Sequence, residues 1–267
     1  MNASDVTNVF TTNYLKKMLC GIVMLLAAFT AGNSFGATDT LPRGFVYLSD
    51  IDPNIVQDMR YASSHNFVGR RIDGYASAEC ILTYEAAQAL KRVQAFLVTK
   101  GLSLIVWDCY RPVRAVQDFL TWTSTPDGSM KGEFFPRANK SQLFALGYLA
   151  RHSHHSRGSA VDLAVVPAEL KVAPRYREES RLAPCFTPKG ERFEDGTLDF
   201  GTGHDCLDAT ASFANKEVGK VARDNRTLLR NAMLSEGFKP YEKEWWHFEL
   251  RNEPFKTEFD FPVTAKR

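Results

Sequence analysis

Residues 83–100 carry Ala86, Leu90, Val93 and Leu97 at helical spacing, with Gly101 as the stop. That pattern predicts a helix laying one face on a sheet. Residues 102–107 follow as a nearly unbroken apolar run, which reads as a buried strand, and residues 160–166 form a second run interrupted by a single charge, Asp162. Residues 44–48 read as an opening strand, and 51–61 as a turn leading into an extended segment. Further helices are expected over 113–123 and 141–150. A last helix runs from a cap at Asp224 or Asn225 to Glu236, with Leu228, Leu229, Ala232 and Met233 turned inward and Gly237 ending it. Residues 244–250 read as the final strand. Two stretches lack periodicity: 60–69 reads as a loop with exposed aromatics, and 167–213, rich in charge, Gly and Pro, as irregular structure.

The N-terminus follows another pattern. Lys16 and Lys17 precede an apolar run from Met18 to Ala31, and the small residues Ser34, Gly36 and Ala37 come next. This predicts a secretory signal peptide over 1–36, cleaved after Gly36. The run is too short for a comfortable membrane span. The expectation is therefore an exported protein, periplasmic or secreted, with no stable membrane insertion once the signal is removed. Cys20 precedes most of the apolar run, unlike a lipid-attachment cysteine, which follows it. No linker appears from Leu41 onward, so residues 37–267 are expected to form one domain.

Export changes the reading of the remaining cysteines. Cys80, Cys109, Cys185 and Cys206 are an even number in an oxidising compartment, which predicts one or two disulfides. Three full pairings are possible; Cys185 with Cys206 is preferred because it would staple the loop-rich segment between them. No pair has the close spacing of a structural zinc site. The 267 residues, 44% of them hydrophobic, suffice for a sizeable core. A net charge of +2 without a basic block gives no footprint for nucleic acid.

Chemistry enters at the charge inside the second apolar run. A buried Asp is costly unless it is paired or bound to a cation. His154 and His155 stand just upstream of Asp162, and Glu244-Trp245-Trp246-His247 adds a histidine and a glutamate far downstream. His155, Asp162 and His247, with Glu244 to spare, are the inventory of a catalytic zinc site: three protein ligands, a fourth position for water, and a base. His154 is set aside because consecutive residues of an extended chain face opposite ways. Glu244 and His247 also face opposite sides of a regular strand, so Glu244 must lie at an irregular entrance or in a bulge to join the site. Arg111, fixed by Pro112 at the end of the first buried run, either points into a cleft or pairs with a carboxylate such as Asp108. Among Asp195, Asp199, Asp205 and Asp208, one can bind a positively charged group while the others are solvated.

Ser153-x-His155-x-x-Gly158-x-Ala160-x-Asp162 together with Glu244-x-x-His247 resembles the zinc signature of the D-alanyl-D-alanine dipeptidases, the family that includes the vancomycin-resistance dipeptidases. Trp107-Asp108-x-Tyr110-Arg111-Pro112, Asp73-Gly74-Tyr75, Tyr61 with Asn66-Phe67, and Glu244-Trp245-Trp246-His247-Phe248 extend the likeness over residues 44–262. The resemblance implies an α+β fold, a single domain whose central antiparallel sheet is flanked by helices. It implies one Zn2+ held by His155, Asp162 and His247, Glu244 as general base, and Arg111 stabilising the oxyanion. It also puts Ser153 near the carboxylate of a small D,D-dipeptide substrate, and Tyr61 and Asp205 near its free amine. A D,D-carboxypeptidase or wall endopeptidase with the same metal site, and a catalytically silent zinc-bearing module that binds wall peptide or a partner, stay open as alternatives. An exported enzyme of this kind would serve cell-wall peptide turnover or scavenging.

Overall fold

Burial orders the chain around two adjacent strands, β4 (Leu102–Asp108) and β5 (Ala160–Pro167), whose side chains are almost all buried. The computed structural model describes residues 41–177 and 183–267. The expected signal peptide, with Cys20, lies outside the described residues. In chain order the elements are β1 (Phe45–Tyr47), α1 (Leu48–Ile51), β2 (Val56–Gln57), β3 (Ile81–Thr83), α2 (Tyr84–Val98), β4, α3 (Val113–Thr123), α4 (Lys131–Phe134), β5, α5 (Lys220–Ser235), β6 (Phe238–Tyr241) and β7 (Glu244–Leu250). The main sheet has the order β2-β4-β5-β7-β6, and β1 pairs with β3 in a separate two-stranded sheet.

The main sheet is mixed, which corrects the antiparallel expectation at one edge. In the run β4, β5, β7, β6 each strand is antiparallel to its neighbour, but β2 joins β4 in parallel. Strand direction depends on the path of the connection, and no local pattern carries it. Helices α2 and α5 pack beside each other against this sheet. Leu90, Val93 and Leu97 of α2 meet Leu229 and Met233 of α5 in one core with Val106, Leu163, Trp246 and Phe248. Each such fully buried side chain is worth roughly 1.5–3 kcal/mol over an exposed one. Thr83 caps α2 by accepting from the Ala86 amide. A second core of aromatics, with Phe67, Phe119, Trp122 and Phe135, forms around α3 and its neighbouring loops.

Three local expectations need correction. Residues 141–150 form no helix; a 3-10 turn over Lys140–Gln142 gives way to a loop in which the amides of Tyr148 and Leu149 both donate to the Leu143 carbonyl. Gly147 turns that loop at a φ of 76°, in the left-handed region that ends a helix. The aromatics of 60–69 are not exposed: Tyr61 and Phe67 are buried, and a 3-10 turn spans Arg60–Ala62. Helix α5 starts four residues before Asp224, at Lys220, with Gly219 as its cap. From this helix the buried Arg226 donates to the carbonyls of Phe200, Thr210 and Ser212, fastening part of the irregular 167–213 segment to it.

Candidate active site

Two irregularities in the sheet build the site. The β4–β5 register shifts between Val106 and Asp108, so Trp107 is the extra residue and Asp108 stands opposite Asp162. On the far side of β5, Asp162 stands opposite His247 of β7. The β6–β7 register also breaks: Pro240 faces Phe248, yet Tyr241 pairs with Glu244 where a regular ladder would bring His247. That irregularity turns Glu244 into the pocket it shares with His247. The rest of β7 alternates normally, with Trp246, Phe248 and Leu250 in the helix-side core and His247 reaching Glu249 on the other face.

His155 enters from a 3-10 turn, His154–Arg157, that ends at Gly158. Gly158 has a φ of 75°, and a Cβ there would lie 2.2 Å from the Phe45 ring, so only glycine fits. The ligand atoms converge. His155 Nε2 lies 3.1 Å from His247 Nδ1 and 3.4 Å from Asp162 Oδ1, and His247 Nδ1 is 3.0 Å from the same oxygen. Each imidazole commits its other nitrogen as a donor: His155 Nδ1 to the Cys109 carbonyl at 2.7 Å, His247 Nε2 to Glu249 at 3.3 Å. Both inward nitrogens are thereby left as lone pairs facing a carboxylate, a donor set that suits a divalent cation such as zinc.

The electrostatics agree with that fit. Burial opposes charge on His247, but hydrogen bonds to Asp162 and Glu249 outweigh it and push its pKa up to about 10. Burial likewise opposes ionisation of Asp162, yet His155, His204 and His247 hold it well below its ordinary value. The negative field that favours charge on His247 also favours a cation between these three groups. Burial, seconded by Asp162 and Asp205 against the pull of His247 and Arg111, raises Glu244 to about 8, near the working range of a general base. Glu249, with His154, His247 and Lys239 bonded to it against the cost of burial, stays far below its ordinary value. Its expected contribution is measurable: Glu249→Gln should weaken zinc binding about 10- to 100-fold, read by chelator competition. Unchanged affinity would show that His247 is oriented without it.

Arg111 satisfies both roles left open for it. It binds Asp108 through Nε at 2.9 Å and an outer nitrogen at 2.8 Å, and the same nitrogen lies 3.6 Å from Asp162. It also lines the pocket, stacked over Tyr61. Tyr75 donates to the other Asp108 oxygen at 2.6 Å, so the carboxylate is fully partnered. The pocket itself measures about 250 Å3 and gathers Tyr61, Arg111, Ser153, His155, Asp162, Asp205, Glu244 and His247. Tyr61 donates to Asp205 at 3.0 Å. Burial raises Asp205, and its φ of 54° is left-handed, a conformation uncommon outside glycine. The other aspartates of that segment do structural work: Asp208 pairs with Arg137, Asp199 with Arg192, and Asp195 accepts from Thr197.

His154, set aside on an extended-chain argument, sits on a 3-10 turn; it lines the pocket rim but pairs with Glu249 and Glu253. The sequence offered no handle on His204. Stacked on Trp107 at 4.5 Å, it holds Nε2 3.7 Å from Asp162 and 3.6 Å from Asp205. Tyr75 and Glu249 were equally silent as supports, since each acts only through a neighbour brought close by folding, whereas Asp108 is the carboxylate expected beside Arg111. The structure bonds Cys185 to Cys206, the preferred pair, and also Cys80 to Cys109.

Three candidate metal ligands, a glutamate and an arginine lining one pocket have the layout of a metal-dependent hydrolase. The chain belongs to the peptidase family described as D-ala-D-ala dipeptidase, whose sequence model matches residues 42–173 and 191–264. It is 34% identical over 222 residues to the D-alanyl-D-alanine dipeptidase of Enterococcus faecium, covering 82% of this chain and 98% of that one. The D-alanyl-D-alanine dipeptidase of Enterococcus faecalis (strain ATCC 700802 / V583) is 32% identical over 84% of this chain and its own full length. The one from Streptomyces coelicolor (strain ATCC BAA-471 / A3(2) / M145) is 34% identical over 82% and 98%. All of the site residues named above fall within the matched segments.

Proposed function

We propose that this chain is a zinc-dependent D,D-dipeptidase that hydrolyses D-alanyl-D-alanine, with one zinc ion held by His155, Asp162 and His247. The names of its relatives support the substrate, and the observation that carries the reading is the pocket. At about 250 Å3 it falls below the roughly 300–1,000 Å3 of sites for larger ligands. The metal triad and a buried, amine-seeking carboxylate, Asp205, line the same small space. When bound, zinc supplies Lewis acidity and makes water acidic enough to act near neutral pH.

The chain's own residues do the rest. Glu244 takes a proton from the attacking water and delivers it to the leaving amine. Arg111 offers its guanidinium to the negative charge that grows on the scissile carbonyl oxygen. Asp205, with Tyr61 behind it, holds the substrate's free ammonium group, and Ser153 meets the terminal carboxylate. An ammonium-binding carboxylate also excludes longer peptides, because an N-acylated substrate would leave Asp205 buried without a cation.

The enzyme is proposed to act outside the cytoplasm, in cell-wall peptide turnover or scavenging. Two disulfides among the described residues support an oxidising compartment. The test is hydrolysis of free D-Ala-D-Ala against an N-acylated peptide ending in D-Ala-D-Ala, with zinc content determined. Cleavage of the free dipeptide alone is expected. Equal or better cleavage of the acylated peptide would assign a carboxypeptidase, and none of either by zinc-loaded protein a silent binding module.

A further inference from the structure

We propose that the Cys80–Cys109 disulfide is a positioning element of the metal centre, holding the carbonyl that orients His155. The inference rests on the metal reading above and adds a residue pair to it. Cys109 stands between Asp108 and Arg111, just beyond the register shift at the end of β4. Past that point β4 is no longer held by its ladder to β5. The Cys109 carbonyl nevertheless has to stay in place, because it accepts the 2.7 Å hydrogen bond from His155 Nδ1 that leaves Nε2 free for the ion.

Three segments meet there, and they come from different sheets. Cys80 immediately precedes β3, which belongs to the two-stranded sheet, while Cys109 follows β4 of the main sheet. The Tyr110 amide donates to Ile81 of β3 at 2.8 Å, and the Thr83 amide of β3 donates to Gly158, the residue that ends the His155 turn. The Arg111 amide closes the circuit on the His155 carbonyl at 3.2 Å. The disulfide is the covalent member of this ring of backbone bonds. Both its cysteines are fully buried, so it acts as a fixed clamp and not as a solvent-exposed switch. Cys80 is itself pinned on both sides: its amide donates to Gln57 and its carbonyl accepts from Leu48. The second disulfide provides the comparison, since Cys185–Cys206 lies beside Asp205 and touches neither histidine ligand nor its orienting partner.

The experiment is zinc affinity of the metal-stripped mature protein, by competition with a chromophoric chelator. Wild type is compared with Cys80→Ala/Cys109→Ala and Cys185→Ala/Cys206→Ala, each at a temperature where near-ultraviolet circular dichroism reports it folded. The first double variant should bind zinc about 10- to 100-fold more weakly, and the second close to wild type. Equal affinity for the two double variants overturns the inference while leaving the metal reading intact. Wild type that takes up no zinc removes the metal reading and this inference with it. If the first variant does not fold, the reciprocal effect is measured on wild type, because coupling between two sites runs equally in both directions. Bound zinc should make Cys80–Cys109 harder to reduce at equilibrium, in a series of thiol–disulfide redox buffers, than Cys185–Cys206, read by alkylation and peptide mapping. Equal protection of both disulfides, or of neither, overturns it.

Discussion

Glu244→Ala should keep one zinc per chain and lose turnover by about a hundred- to ten-thousand-fold, the range typical of a removed general base. The metal stays because Glu244 is not among the three converging ligands. Turnover goes because the other carboxylates near the pocket among the described residues are already engaged: Asp108 is locked to Arg111 and Tyr75, Asp205 to Tyr61, and Glu249 to His247. Stability should move the other way. Burial lifts the Glu244 carboxyl from its ordinary 4.5 to about 8, so between those values the folded protein holds a proton that the unfolded chain has released. Folding stability therefore falls as pH rises through this window. Metal-free Glu244→Gln removes that dependence and should melt a few degrees above metal-free wild type at pH 8, and level with it at pH 4. Unchanged turnover in Glu244→Ala would take Glu244 out of the base role.

Arg111→Met should cost about a hundred- to a thousand-fold in kcat/KM, the usual loss for a missing donor to a developing oxyanion. It should also destabilise the fold by about 3–5 kcal/mol, because Asp108 is completely buried and loses its counter-charge. The two losses are separable. Asp108→Asn in the same chain removes the stranded charge and should restore most of the melting temperature, while kcat/KM stays low. Arg111→Lys keeps the charge but cannot form the forked contact to Asp108, so it should recover only part of either property. If the double variant regained activity along with stability, Arg111 would be a structural residue alone.

The candidate metal ligands were legible because one of them, Asp162, is costly to bury without a cation. An aspartate inside an otherwise apolar strand needs a cation, and Asp162 received the partners that requirement implies. The long helix 83–100 and both buried strands were equally readable, since period and burial agree along them. Glu244 was legible as a candidate but not as a geometry: only the Tyr241–Glu244 pairing decides which face it takes, and pairing is a property of two strands. The 141–150 segment failed for a related reason. Its apolar spacing suits a helix, but Leu143 and Leu149 are buried from a loop that Gly147 bends beside the pocket, and tertiary contacts outweigh propensity there. The buried aromatics of 60–69 misled because polar neighbours mask burial in an irregular segment. Supporting residues other than Asp108 stayed invisible: Cys109 accepts from His155 through a main-chain carbonyl, which leaves no mark on residue type.

Hydrolysis of D-alanyl-D-alanine with one zinc ion at His155, Asp162 and His247 has a direct assay: metal-stripped mature protein is titrated with zinc while D-alanine release is followed. Activity should rise linearly and break at one zinc per chain, and His247→Ala should show neither the break nor the activity. Full release of D-alanine by protein free of zinc, or an unaltered titration in His247→Ala, would show that hydrolysis does not depend on zinc at these residues.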